Sequence, residues 1–251
     1  MKALIMLLGA LLAPAWAFQP LSGYSFLNES TQAMQDDDFE NPGMVTVDLG
    51  AELFNEHRED EEASCSTCHG EDGARLNAKE IARYPIYEPG MGGLVTLQER
   101  ISYCWEFNLD RFPLEYDHAE LVALETFVRH QAKGELVDVQ IDGPMAELIA
   151  QGGELYGTRF GQLDMACRHC HVQHQGQMLR GQRLSQGQAN GFPEYRLGRG
   201  RVTSLHGRLR ECFVSFRADP FDPGSEELQL LELFLMQRGN GLQVETPAVR
   251  F

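Results

Sequence analysis

The chain has 251 residues, 43% of them hydrophobic, which is enough for one large domain or two small ones. Its formal net charge of −16 excludes the usual electrostatic footprint of a protein that binds nucleic acid or an anionic membrane surface.

Residues 1–17 read as a signal peptide: Lys2 supplies a basic start, Ala3 to Leu12 an apolar run, and Ala15-Trp16-Ala17 a small-x-small cleavage site. That run is too short to cross a bilayer, and no later stretch approaches the ~20 apolar residues a spanning helix requires. The expectation is an exported, periplasmic protein with no membrane span. Residues 18–49 form an N-terminal extension with Pro20, Asn28-Glu29-Ser30 and Asp36-Asp37-Asp38 and little periodicity. They predict loop with one short helix, serving either as a wrapping or partner-contacting arm or as an acidic solubilising one.

From Gly50 the chain repeats itself. Glu52-Leu53-Phe54 precedes Cys65-Ser66-Thr67-Cys68-His69 by the same interval that separates Glu154-Leu155-Tyr156 from Cys167-Arg168-His169-Cys170-His171. A lone cysteine then follows each motif, Cys104 and Cys212, with Arg100 and Arg208 four residues earlier. Pro113 and Pro220 end the local structure. A terminal helix closes each copy. The first starts with the capping pair Asp117 and Glu120 and buries Leu121, Leu124 and Val128; the second starts near Ser225 and buries Leu228, Leu231 and Leu235. The positions Glu120, Glu125, Phe127 and Glu227, Glu232, Phe234 reuse one template. The reading is all-α, with domains at 50–142 and 143–251 and a boundary near Lys133-Gly134 to Gly143-Pro144.

Six cysteines in an exported chain would ordinarily mean three disulfides. Four of them, Cys65, Cys68, Cys167 and Cys170, instead sit in two Cys-x-x-Cys-His motifs, the signature of c-type haem attachment. The thiols form thioethers to the haem and the adjoining histidine, His69 or His171, is the proximal iron ligand. A zinc site or redox dithiol lacks the second ligand pair or the βαβ context it needs. Two covalently attached c-type haems follow. Helix, haem motif, long connection, terminal helix resembles the class I cytochrome c fold, used twice in tandem. Each half is small for a generous core, so the haem supplies apolar filling.

The sixth iron site remains to be assigned. Met91, Met145, Met178 and Met236 do not fall at matching repeat positions, whereas Cys104 and Cys212 do. That equivalence favours thiolate ligation by Cys104 and Cys212 opposite His69 and His171. Three alternatives stay open: a Cys104–Cys212 disulfide, buried free thiols, or ligation by His118, His130, His174 or His206, with His206 nearest the Arg208–Cys212 turn. From Arg180 to Arg217 there are eight arginines against Glu194 and Glu211, a basic segment in an acidic chain that favours docking or anion binding.

Two haem motifs each completed by a downstream cysteine, with Ser204-Leu205-His206-Gly207-Arg208-Leu209-Arg210-Glu211-Cys212 and the Gly-Ser-Glu-Glu-Leu start of the last helix, resemble the SoxA family of dihaem cytochromes. The resemblance runs over nearly the whole mature chain. It implies an L-cysteine S-thiosulfotransferase of sulfur oxidation, working as a heterodimer with SoxX, a small monohaem cytochrome, and joining thiosulfate to a cysteine of the carrier SoxYZ. It implies that His171 and Cys212 ligate the active-site haem, with the cysteine as a persulfide. It implies further that His69 and Cys104 ligate the other haem and that Arg208 is the catalytic arginine. The glutamine-rich segment from His171 to Gln188 departs from that pattern. The reading from a different class is a non-enzymatic dihaem electron carrier with methionine or histidine ligands and a Cys104–Cys212 disulfide. A dihaem peroxidase, which generally needs a longer chain, is more distant.

Overall fold

Two helix pairs organise the molecule, and both are built on a glycine. Helix α1 (Glu29–Asp36) lies in the N-terminal extension, and α2 (Met44–Asn55) follows it with Val47, Gly50 and Phe54 buried at helical spacing. This stripe packs on the last helix of the first half, α6 (Ala119–His130), against Leu124 and Phe127. The crossing is closest at Gly50, where a Cβ would lie 2.1 Å from the Ala123 carbonyl oxygen. In the second half α7 (Pro144–Gly157) crosses α9 (Glu226–Gln237) in the same way: a Cβ on Gly152 would lie 2.2 Å from the Leu230 carbonyl oxygen. One turn on, Phe54 meets Phe127 at 5.0 Å between ring centroids and Tyr156 meets Phe234 at 5.1 Å. Aromatic pairs at such spacing add about 0.5–1.5 kcal/mol beyond their burial. The repeat read from the sequence is therefore a repeat in space. The computed structural model describes residues 19–57 and 63–251; the signal peptide assigned to residues 1–17 lies outside them.

Between each pair sit the elements that carry the chemistry. In the first half these are α3 (Cys65–His69), α4 (Ala78–Ile81), and α5 (Leu97–Tyr103), which runs into a π-helical turn at Cys104–Asn108. In the second half His169–Gln173 is a π-helical turn and α8 (Leu205–Ser215) carries Arg208 and Cys212. Thr96 and Ser204 cap α5 and α8 with side-chain acceptors, satisfying N–H groups that the helix leaves unpaired.

The all-α expectation is corrected by three small sheets. Strands β1 (Ile86–Glu88) and β2 (Gly93–Val95) form an antiparallel hairpin, as do β3 (Met178–Leu179) and β4 (Gln182–Arg183). The third sheet has the order β6-β5-β7, with β5 (Glu194–Arg196) antiparallel to β6 (Arg201–Thr203) and parallel to β7 (Ala248–Arg250). Strands of two or three residues are too short to display the alternation that identifies a strand in sequence.

A second correction concerns Asp117. It does not cap α6, whose N-cap is His118 without a side-chain bond. Its carboxylate accepts instead from the Ser204 hydroxyl of the other half. The N-terminal extension wraps the second half. Gln35 accepts from the Val249 amide at 3.1 Å, and Asn41 donates to the Pro247 carbonyl at 2.9 Å. Residues 134–137 are in turn bonded to the tail through Gly134 N–H to Val244 and Val137 N–H to Leu242, each 2.9 Å. Among the described residues no helix is long and apolar enough to cross a membrane.

Candidate functional site

In the second half a cavity of about 820 Å³ is bounded by His171, Arg208 and Cys212 together. The two motif cysteines lie close enough that the Cys212 sulfur opposes ionisation of both. Burial, the larger effect, pushes the Cys167 thiol up to about 12. A thiol so placed is inert as a thiolate, whereas a thioether needs no charge.

His171 is oriented by the segment that sequence reasoning left undefined. Its Nδ1 lies 3.0 Å from the Ser185 carbonyl oxygen and donates to it, which leaves Nε2 for a metal. Gly187 takes φ +79°, and a Cβ there would lie 2.9 Å from the imidazole. The chain closes on the ring at the one residue with nothing to clash. Burial holds His171 below the usual imidazole range, so the neutral, metal-binding form is favoured. An imidazole with its proton fixed, a sulfur beside the same cavity and two adjacent motif cysteines form a donor set that fits a covalent haem.

Arg208 lies along one face of α8 with Cys212, as the four-residue interval requires. The Cys212 sulfur is the main influence raising its guanidinium above the ordinary arginine value; Glu194 and Glu211 add to it, and burial opposes. Its Nη1 is 3.4 Å from Glu211, which also pairs with Arg199 at 3.0 Å.

In the first half Cys104 stands beside Cys65 and Cys68, and burial raises Cys65 to about 11. His69 packs its ring 6.2 Å from Phe54. Arg100 is occupied: its Nε donates to the Tyr84 hydroxyl at 3.1 Å and a terminal nitrogen lies 3.8 Å from Glu88.

The rival ligands fall elsewhere. All six cysteines are free, and Cys104 and Cys212 each associate with the motif of their own half, so no disulfide joins them. His206 is 1% exposed, accepts from the Gly224 amide through Nδ1, stacks on Tyr116 at 4.5 Å and meets Glu232 3.1 Å from Nε2, outside hydrogen-bond alignment. His130 and His174 are bound to the carbonyls of Thr246 and His169 through Nδ1, and His118 faces Glu120. Met145 and Met236 are core residues, and Met178 is exposed on β3.

Comparison with known proteins supplies an independent line. Residues 49–137 match the family model described as SoxA/TsdA, cytochrome c domain. An L-cysteine S-thiosulfotransferase subunit SoxA of Pseudaminobacter salicylatoxidans is 39% identical over 92% of this chain and 80% of its own. Its counterpart from Rhodovulum sulfidophilum is 38% identical over 91% and 79%. The crystal structure of SoxXA from P. pantotrophus superposes with a TM-score of 0.85 at 34% identity, covering 92% of this chain and 87% of that one.

Proposed function

Because this chain belongs to the SoxA family of L-cysteine S-thiosulfotransferase subunits, we propose that its second half is where thiosulfate is oxidatively joined to a cysteine of a carrier protein. The observation that carries this assignment is the convergence of His171, Arg208 and Cys212 on one cavity. The reaction forms a sulfur–sulfur bond between the carrier thiol and the outer sulfur of thiosulfate, releasing one proton and two electrons. A covalently held haem supplies the iron that accepts electrons one at a time.

The chain's residues do the rest. Cys167 and Cys170 would tether the cofactor, and the Ser185 carbonyl, by fixing the proton on Nδ1 of His171, leaves Nε2 free to hold its iron. Cys212, on the same cavity, would hold the iron as well and present sulfur to the substrate. Arg208 binds the dianion with a planar fork and offsets the repulsion between thiosulfate and a thiolate. In the first half Cys65, Cys68, His69 and Cys104 would hold a second haem, within residues 50–142. There Arg100 is tied to Tyr84 and Glu88 and offers no equivalent anion site.

A solved relative is a SoxXA complex, which supports pairing with a SoxX-like monohaem cytochrome that would carry the electrons away; the acceptor cysteine in this reading belongs to a SoxYZ-like carrier. The leader at 1–17 directs it to the periplasm. The test is to mix the chain, with and without its monohaem partner, with thiosulfate and reduced carrier, and to follow the carrier by mass spectrometry. The carrier cysteine gains a thiosulfonate group at full rate only with the partner present; full-rate coupling by the chain alone contradicts the heterodimer.

A further inference from the structure

The two copies differ at the hairpin that precedes each cysteine ligand. Pro85 leads into β1 and β2, and Pro193 into β5 and β6; Thr96 and Ser204 then cap α5 and α8, on which Arg100 and Arg208 stand. Counting back from these caps pairs Tyr84 with Phe192, Ile86 with Glu194 and Glu88 with Arg196. In the first copy Tyr84 and Glu88 are the groups that occupy Arg100. In the second copy phenylalanine removes the hydroxyl and arginine reverses the charge of the carboxylate.

Arg196 is 8% exposed and borders the same cavity as Cys212 and Arg208. Its Nη1 donates to Glu194 at 2.9 Å, and its Nε has no partner among the described residues. Glu194, itself buried, acts on Arg208 as well. Two carboxylates, Glu194 and Glu211, thus face three guanidinium groups, those of Arg196, Arg208 and Arg199, and one positive charge is left over. A buried charge without a full partner is costly, and an orphaned N–H beside it defines where an anion would be stabilised. The neighbouring arginines in the sheet do not fill this role. Arg250, opposite Arg196 in the register, is neutralised by Glu245 at 3.0 Å, and Arg201 on the other side is exposed.

We propose that Arg196 is a second anion-binding residue of the catalytic cavity, taking the sulfonate oxygens of thiosulfate together with Arg208. This rests on the thiosulfotransferase reading of the site. The Glu-to-Arg exchange between copies makes one half an anion site and leaves the other a closed ion pair.

The experiment uses the holo heterodimer. Rates are measured against thiosulfate concentration, and thiosulfate is also titrated calorimetrically without carrier, so that binding is read without turnover. Loss of one charge-assisted contact in Arg196→Gln should raise KM and the dissociation constant about 10–100-fold. Turnover at saturation should stay within a few-fold, the pattern for uniform binding. The ferric spectrum and the haem midpoint potentials should not move. Arg196→Lys keeps the charge without the fork and should fall between; it decides the matter if Arg196→Gln does not fold. Unchanged KM and dissociation constant in the variants overturn the proposal. So does a shifted haem potential with unchanged thiosulfate binding, which makes Arg196 a haem propionate partner. If wild type binds thiosulfate but never couples it, the thiosulfotransferase reading fails while the titration still judges Arg196.

Discussion

Arg208 and Gly187 act on the chemistry of the second half in different ways, and each can be questioned singly. Arg208 stands against the Cys212 sulfur, so Arg208→Ala should cost about 10²–10³ in turnover, the scale seen when a transition-state donor is removed. The optical spectrum should hardly change, and Arg208→Lys should recover only part. Activity within a few-fold of wild type would make Arg208 structural. Gly187 is the second case. A methyl group there meets the His171 ring at 2.9 Å on a backbone with φ +79°, so Gly187→Ala should destabilise the second half by about 1–3 kcal/mol. Haem content and the haem spectrum report it; an unaltered spectrum and melting temperature would contradict the packing. His171 itself was legible in the motif, as were Cys167 and Cys170, and Cys212 stood out by its place in the repeat. Its orienter was not, because the bond runs to the main-chain carbonyl of Ser185, and any residue can supply one.

At the scale of elements, the glycine crossings are what place each haem motif under its helix pair. Gly50→Ala and Gly152→Ala each push a Cβ into a backbone carbonyl, at 2.1 and 2.2 Å. Each should lower stability by about 1–3 kcal/mol, which is several degrees of melting temperature for a chain of this size. Calorimetry that finds either variant as stable as wild type would show that the helices separate freely there. The helix pairs were readable because Leu121, Leu124 and Val128, and Leu228, Leu231 and Leu235, recur at helical spacing and are buried. The hairpins were not, since three residues such as Glu194, Tyr195 and Arg196 carry no period. Nor was the exchange of Asp117 from helix cap to partner of Ser204, which depends on how the two copies meet.

Across the whole molecule, the copies join through a buried polar cluster near α5, α6, α8 and α9. Gln98 donates to Glu125 at 2.8 Å, while at the equivalent place His206 meets Glu232 at 3.1 Å; Tyr116 donates to Thr96 at 2.9 Å between them. Burial first, and then the charge of Glu232, raises the Glu125 carboxyl to about 8; Arg129 and the Gln98 amide oppose the shift. A carboxyl raised on folding binds its proton more tightly in the native state, so its contribution is full below the unfolded pKa of ~4.3. That contribution is lost as pH rises through about 8. The melting temperature should therefore decline over that window, and Glu125→Gln, neutral throughout, should flatten the decline; a wild-type curve level from pH 5 to 8 would contradict the buried pair. The tandem arrangement also poses the central question, which is whether the second copy alone carries the chemistry. Cys104→Met and Cys212→Met, each reconstituted with the monohaem partner, should be compared for thiosulfate-dependent modification of the carrier cysteine by mass spectrometry. Modification within a few-fold of wild type is expected for Cys104→Met and none for Cys212→Met; equal loss in both, or loss only in Cys104→Met, would contradict a catalytic role confined to the second copy.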